Sequence, residues 1–317
     1  MPPNEPLIME GKTMAHRLVE FPSEGASLRG RLYLPTAAPR PLPVVIMAHG
    51  FSATINGMVA EKYAEAFYKA GFAVLLYDHR NFGISGGEPR QEINKWVQAR
   101  GYCSAMDYLS TLPEVAQDRI ALWGDSSSGG EVIVVGSVDE RVRAIVAQVP
   151  ACGNEPPPDY SMEALFKCLK EVFLHGHVSE GAPGTMTGPL PVVSYDQMSR
   201  PSLLTPLTAF RWFMEYGGRY GTHWENHATI FQPWAPAPFQ PFICAPHLKA
   251  PLLMMIAAQD EMPGANSDVA RAVFHLAPEP KQKVEIEGGH FGLLHHPSEL
   301  FEQASRAQCD FLIRHLK

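Results

Sequence analysis

The sequence predicts an α/β fold, a mostly parallel central sheet with helices on both faces and an inserted cap. Three observations predict it. Short apolar runs ending at glycine or aspartate alternate with longer runs of helical period, as in a sheet covered on both sides. The alternation stops near residue 151 and resumes near 246, with a Pro-, Gly- and aromatic-rich stretch between. The length, 317 residues, exceeds one ordinary core and falls short of two, which favours a single large core carrying an insertion.

Taken in order, residues 15–22 and 27–34 around Gly25 read as an N-terminal hairpin. PVVIMAHG (43–50) is a continuous apolar run closed by glycine, the pattern of a strand buried on both faces. Residues 58–71 carry apolar side chains at helical spacing up to Gly71 and lead into the strand FAVLLYD (72–78). After a Gly-rich loop come a helix over 94–112, a strand at RIALWG (119–124), a helix beginning in SSSGG (126–130) and a strand at 142–150.

Residues 151–245 read as a cap rather than a linker, with helical runs near 161–175 and 203–217. A linker would not carry Phe166, Phe173, Phe210, Trp212, Phe213, Trp224, Phe231, Trp234, Phe239 and Phe242. Strand (251–258), helix (267–277), strand (282–288) and helix (299–316) complete the core, which thus spans 1–150 and 246–317. There is no internal repeat.

Composition narrows the function. A formal net charge of −7, a pI near 6.0 and no Lys/Arg cluster leave no footprint for nucleic acid or an anionic membrane. No apolar run reaches the roughly 18 residues of a membrane span, and residues 1–12 lack a secretory pattern, so a cytoplasmic protein is expected. Cys103, Cys152, Cys168, Cys244 and Cys309 are scattered and never in a C-x-x-C pair, as reduced and mostly buried residues would be. The close pairs His175/His177 and His295/His296 lack further ligands, so neither a metal nor another cofactor is implied.

The strand RIALW runs through Gly124-Asp125-Ser126-Ser127-Ser128-Gly129-Gly130 into a helix, the strand–turn–helix context of a nucleophile elbow. Small residues are needed two positions either side of the nucleophile, and Gly124 and Ser128 flank Ser126 in that way. A helix N-terminus adds N–H groups and partial positive charge beside a developing oxyanion. Ser126 and Ser127 could instead simply cap the helix. Ser128 and Asp125 are rival nucleophiles, the first deeper in the helix and the second with bulky Trp123 in a small-residue position.

On these residues the chain resembles the α/β-hydrolase superfamily, in the branch of dienelactone hydrolases and Xaa-Pro-peptidase-like esterases. The likeness covers roughly 27–150 and 250–315, with one departure: the family's G-x-S-x-G ends here in Ser128. It implies Ser126 as nucleophile and His290, in Gly288-Gly289-His290-Phe291-Gly292, as general base. Asp260 is the acid, preferred over the adjacent Glu261 because it lies just beyond the strand end. His295 and His296 follow but precede Pro297 and a helix start. The N–H groups of Phe51, after His49-Gly50, and of Ser127 would form the oxyanion hole. The D-x-R-x-x-G-x-S-x-G loop from Asp78 is assigned structural work, with Asp78 and Arg80 paired.

The resemblance implies hydrolysis of a carboxylic ester, thioester or lactone through an acyl-enzyme. Its alternatives are an Xaa-Pro-type peptidase, a C–C bond or thioester hydrolase of a biosynthetic or aromatic-degradation pathway, and a non-catalytic binding protein. The expected partner is a small molecule with a hydrophobic or aromatic acyl group, set by the cap's aromatics unless these only form the cap's own core. Arg211, Glu215, Arg219 and Glu225 are candidates to meet a charged substrate end. The oligomeric state is left open, a homodimer being compatible.

Overall fold

The computed structural model describes residues 14–178 and 181–317. The segment on which the reading of location rests lies outside them; among the described residues no helix is long and apolar enough to cross a membrane.

The chain opens with β1 (Arg17–Ser23) and β2 (Ala26–Tyr33), an antiparallel hairpin. It continues through β3 (Leu42–Ala48), α1 (Ala60–Lys69), β4 (Ala73–Tyr77), β5 (Glu92–Ile93), α2 (Lys95–Ser110), β6 (Val115–Asp125), α3 (Ser127–Val138) and β7 (Val142–Gln148). Then follow α4 (Glu163–His175), β8 (Gly184–Leu190), α5 (Leu207–Trp212), β9 (Ala228–Pro233) and the short α6 (Pro241–Cys244). The chain closes with β10 (Leu252–Ala257), α7 (Ser267–Leu276), β11 (Lys281–Ile286) and α8 (Glu299–Leu316).

Eight strands form the main sheet in the order β1-β2-β4-β3-β6-β7-β10-β11. β2 runs antiparallel to both its neighbours, and every pairing from β4 to β11 is parallel. Alternation along each strand divides the core into two layers. Val44, Ile46 and Ala48 of β3 face the layer that α2, α3 and α7 cover. Val45 and Met47 face the one that α1 and α8 cover. Both faces are dry, so β3 is buried at every position and its sequence is an unbroken apolar run.

Residues 151–245 contain strands as well as the expected helical runs. β8 and β9 pair antiparallel, and β9 pairs parallel with β5, giving a second, three-stranded sheet. β5 lies well upstream of the insertion in sequence, immediately before α2. Through it β9 is tied to the chain just ahead of α2.

Candidate active site

β6 delivers the chain to Ser126 at the C-terminal end of the parallel strands, where α/β sheets place their ligands. Ser126 has φ 55° and ψ −117°, a region that side-chain-bearing residues rarely occupy. Three main-chain bonds hold it there: its N–H donates to Gln148 O (2.9 Å), and its carbonyl accepts from Ala151 (2.8 Å) and Gly130 (3.2 Å). A Cβ on Gly124 would collide with the Ser128 carbonyl, so the turn requires glycine at that position. Ser126 occupies the N-cap position of α3, yet its hydroxyl makes no capping bond and stays half-buried at the cavity wall. The capping interpretation of Ser126 is therefore not what this geometry holds.

The rival nucleophiles are already engaged. Ser128 is fully buried, and its Oγ donates to His49 O (2.7 Å) and lies 2.8 Å from His79 Nε2 and 3.1 Å from Glu131 Oε2. Asp125 lies beneath the elbow. Its Oδ1 accepts from Gly50 N (3.1 Å) and sits 3.0 Å from His49 Nδ1. His49 Nε2 accepts from Ala60 N (3.1 Å), so the proton belongs on Nδ1, facing Asp125. This bond locks the β3–α1 loop to the elbow. The approach is so close that a Cβ on Gly50 would lie 2.7 Å from Asp125 O and 2.8 Å from Ser126 Cβ. Phe51, next in that loop, and Ser127, in the first turn of α3, both border the cavity; a first-turn N–H has no acceptor within its helix.

His290 lies after β11 and Asp260 after β10. Their side chains are almost wholly buried, with His290 Nδ1 2.8 Å from Asp260 Oδ2. Asp260 Oδ1 also accepts from Met262 N (3.0 Å), which fixes the carboxylate. The alternative acid, Glu261, is used otherwise: Oε2 accepts the His290 N–H (2.9 Å) and Oε1 accepts from Thr208 Oγ of the insertion. Glu261 thus holds the backbone of His290 while Asp260 holds its ring.

Ser126, Ser127, Phe51 and His290 border one cavity of about 500 Å³. Its walls come from α2 (Trp96, with Ile93 ahead of it), from α5 and its continuation (Trp212, Phe213), from β9 (Ile230, Phe231) and from Phe239 and Met262. The aromatics of 151–245 divide between two tasks. Trp212, Phe213, Phe231 and Phe239 border the cavity, whereas Phe166 and Phe173 pack into the interior and Trp234 is exposed. Trp212 also anchors α5 to the segment after β11: its Nε1 donates to Leu294 O (2.7 Å), and its ring stacks on Phe291, whose centroid is 5.3 Å away.

Arg211, Glu215, Arg219 and Glu225 do not border the cavity, and Glu215 and Arg219 pair with each other at 3.6 Å. Among the described residues the lysine or arginine at the cavity wall is Lys95, which the sequence reading passed over. A signal was available: Lys95 follows the helix cap Asn94, and a lysine in a first turn opposes the helix dipole. Further down the D-x-R loop, Asp78 accepts from Ile55 N (2.8 Å) and Ile84 N (2.9 Å). Burial pushes its carboxyl up to about 6 against the pull of those N–H groups.

A mostly parallel sheet, a strained serine at the turn from a central strand into a helix, and a carboxylate–histidine pair beyond the last strands together define the α/β-hydrolase class. The model of the X-Pro dipeptidyl-peptidase (S15) family matches residues 24–163. A "Thiohydrolase" of Eupenicillium brefeldianum is 30% identical over 293 residues, covering 90% of this chain and 91% of that protein. In structure, the alpha/beta hydrolase GrgF from Penicillium sp. sh18 aligns with a TM-score of 0.71 at 24% identity, covering 95% of this chain and 99% of that one. The dienelactone hydrolase from Anabaena variabilis aligns at 0.56 and 16% identity, covering 96% of this chain and 99% of that one. The chain belongs to the α/β-hydrolase family and is an enzyme of the hydrolase class.

Proposed function

We propose that the chain is a serine hydrolase cleaving a carboxylic ester or thioester through an acyl-enzyme, with Ser126 as nucleophile, His290 as general base and Asp260 as its orienting carboxylate. The observation that carries this reading is the uncommitted hydroxyl of Ser126. It sits at a strained turn on the same cavity as His290, whose far nitrogen is held by Asp260.

With Nδ1–H donated to Asp260, His290 Nε2 carries the lone pair that takes the Ser126 proton. Attack on the carbonyl gives an oxyanion, for which the N–H groups of Phe51 and Ser127 are the donors. His290 then gives its proton to the leaving alcohol or thiol. Water, activated by the same imidazole, releases the acid and restores Ser126. Residues 151–245 serve as the cap over this site, and their cavity-facing aromatics favour an apolar acyl group. The relative named as a thiohydrolase supports including thioesters.

The family model also suggests an Xaa-Pro peptidase. Such an enzyme must bind a substrate ammonium, and the cavity disfavours that. Among the described residues its carboxylate, Asp125, is engaged by His49 and Gly50, and Lys95, which borders it without an ion pair, is a cation.

The test is a fluorophosphonate probe with peptide mapping on the wild type and on Ser126→Ala. Phosphonylation of the peptide holding Ser126, lost in the variant together with ester turnover, is expected. A folded Ser126→Ala protein that still turns over esters would overturn the assignment.

A further inference from the structure

We propose that Lys95 forms a subsite for a second, anionic oxygen group on the substrate, a carboxylate or a phosphate, so that the enzyme selects acyl compounds with an ionised end. The proposal rests on the ester or thioester reading above and specifies its substrate.

Lys95 is placed with care. β5 pairs with β9 at Glu92↔Thr229 and Ile93↔Ile230, which fixes the backbone just before it. Asn94 caps α2 by accepting from Trp96 N (3.1 Å), and its Nδ2 donates to Val178 O (2.6 Å). The lysine side chain emerges from this doubly held corner and borders the same cavity as Ser126, Ser127 and His290.

The ordinary tasks of a lysine are unfilled here. Lys62, Lys69, Lys167, Lys249 and Lys283 each meet a glutamate at the surface. Lys95 makes no ion pair or hydrogen bond among the described residues, though it stays open to the cavity. It neither caps nor supports its helix, since a cation at a helix start opposes the macrodipole.

The nearby acids do not neutralise it. Glu131 lies below, its carboxyl bonded to the hydroxyls of Ser127 (3.4 Å) and Ser128 (3.1 Å). Burial pushes the Glu131 carboxyl up to about 8, so it carries little charge at neutral pH. Asp125 is held by His49 and Gly50. Desolvation by the surrounding protein lowers the Lys95 pKa, against the pull of Glu131 and Cys152. An anion arriving on the substrate offsets that desolvation. Gln232 and Gln240 border the same cavity and offer amide donors to its contents.

The anion has two chemical sources, the far end of the acyl chain or the leaving group, and matched pairs separate them. The first pair compares 4-nitrophenyl half-esters of linear diacids, from succinate to suberate, with their methyl-capped counterparts. The second compares hexanoyl phosphopantetheine with hexanoyl pantetheine. The readout is the ratio of kcat/KM for the charged over the neutral member, in wild type, Lys95→Gln and Lys95→Arg.

A ratio of about ten or more is expected for one pair, since a charge-assisted bond in a sheltered site contributes at least that factor. It should fall to about one in Lys95→Gln and stay within about threefold in Lys95→Arg. Ratios near one for both pairs, or ratios unchanged in Lys95→Gln, overturn the proposal. Calorimetry on full-length Ser126→Ala with the free diacids and phosphopantetheine reads the subsite without catalysis. Lys95-dependent binding in a protein whose Ser126 is never phosphonylated would sink the serine-hydrolase reading alone. Labelled Ser126 with no Lys95 dependence would sink this inference alone.

Discussion

Three serine hydroxyls follow one another at the end of β6, and burial divides their work. Ser126 is half-buried at the cavity wall, Ser127 opens α3, and Ser128 is enclosed among His49, His79 and Glu131. Burial pushes the His79 imidazole down to about 3 and the Glu131 carboxyl up to about 8, so these two partners of Ser128 are largely uncharged near pH 7. A protonated Glu131 has a proton to donate to Ser128, whose own proton goes to His49 O. An unfolded glutamate titrates near 4.3, so between about pH 4 and pH 8 the fold keeps a proton that the unfolded chain releases, and stability falls as pH rises. Asp78, raised to about 6, adds to this with the same sign. His79 acts oppositely, its contribution being lost as pH falls below the ordinary histidine value. Glu131→Gln removes the glutamate part while keeping a donor toward Ser128. Urea denaturation should show its stability relative to wild type rising by about 2 kcal/mol between about pH 6 and pH 8. Parallel pH profiles would contradict a protonated Glu131.

Among the elements, the start of α2 has the widest reach, because it joins the main body to the insertion and sets the direction of Lys95. Asn94 both caps the helix and ties it to Val178 O. Asn94→Ala should cost about 1–2 kcal/mol in chemical denaturation, the usual loss for a cap. If the corner positions Lys95, that variant should also lower the charged-to-neutral substrate ratio. The second sheet is the part of the fold that the sequence concealed. β8 is GTMTGPL, mostly exposed, and interrupted by Gly188-Pro189 where its register with β9 shifts. It has neither an apolar run nor alternation to betray it, and it is a strand because β9 lies beside it. β5 has two residues and is defined by its partner in the same way.

For the molecule as a whole, the cavity draws on distant parts of the chain: the end of β6, the turn after β11 and the start of α2 supply Ser126, His290 and Lys95, and residues 212–239 supply most of the aromatic wall. Each methylene drawn from water into such a wall contributes about 0.8 kcal/mol. Hexanoyl esters should therefore exceed acetyl esters by at least about tenfold in kcat/KM for one 4-nitrophenyl leaving group. Equal rates would mean that the acyl chain does not lie against these aromatics.

The main sheet, its helices and the elbow were legible in the sequence. A strand buried on both faces must be continuously apolar, and a turn at positive φ beside a helix needs small residues at fixed offsets. The sequence by itself therefore determined the layered core and the serine, histidine and aspartate worth examining. It preferred Asp260 to Glu261 and Ser126 to Ser128, each a choice between neighbours of like chemistry. Tertiary structure gives each its setting, Asp260 against the ring of His290 and Glu261 against its backbone, Ser126 at the cavity wall and Ser128 enclosed, because what separates such residues is the direction of the side chain and the partner already occupying it. Lys95 belongs to the same category: in the sequence it is one lysine in a helix, and only folding brings it to the wall of the cavity that Ser126 and His290 border, away from the surface glutamates that other lysines meet.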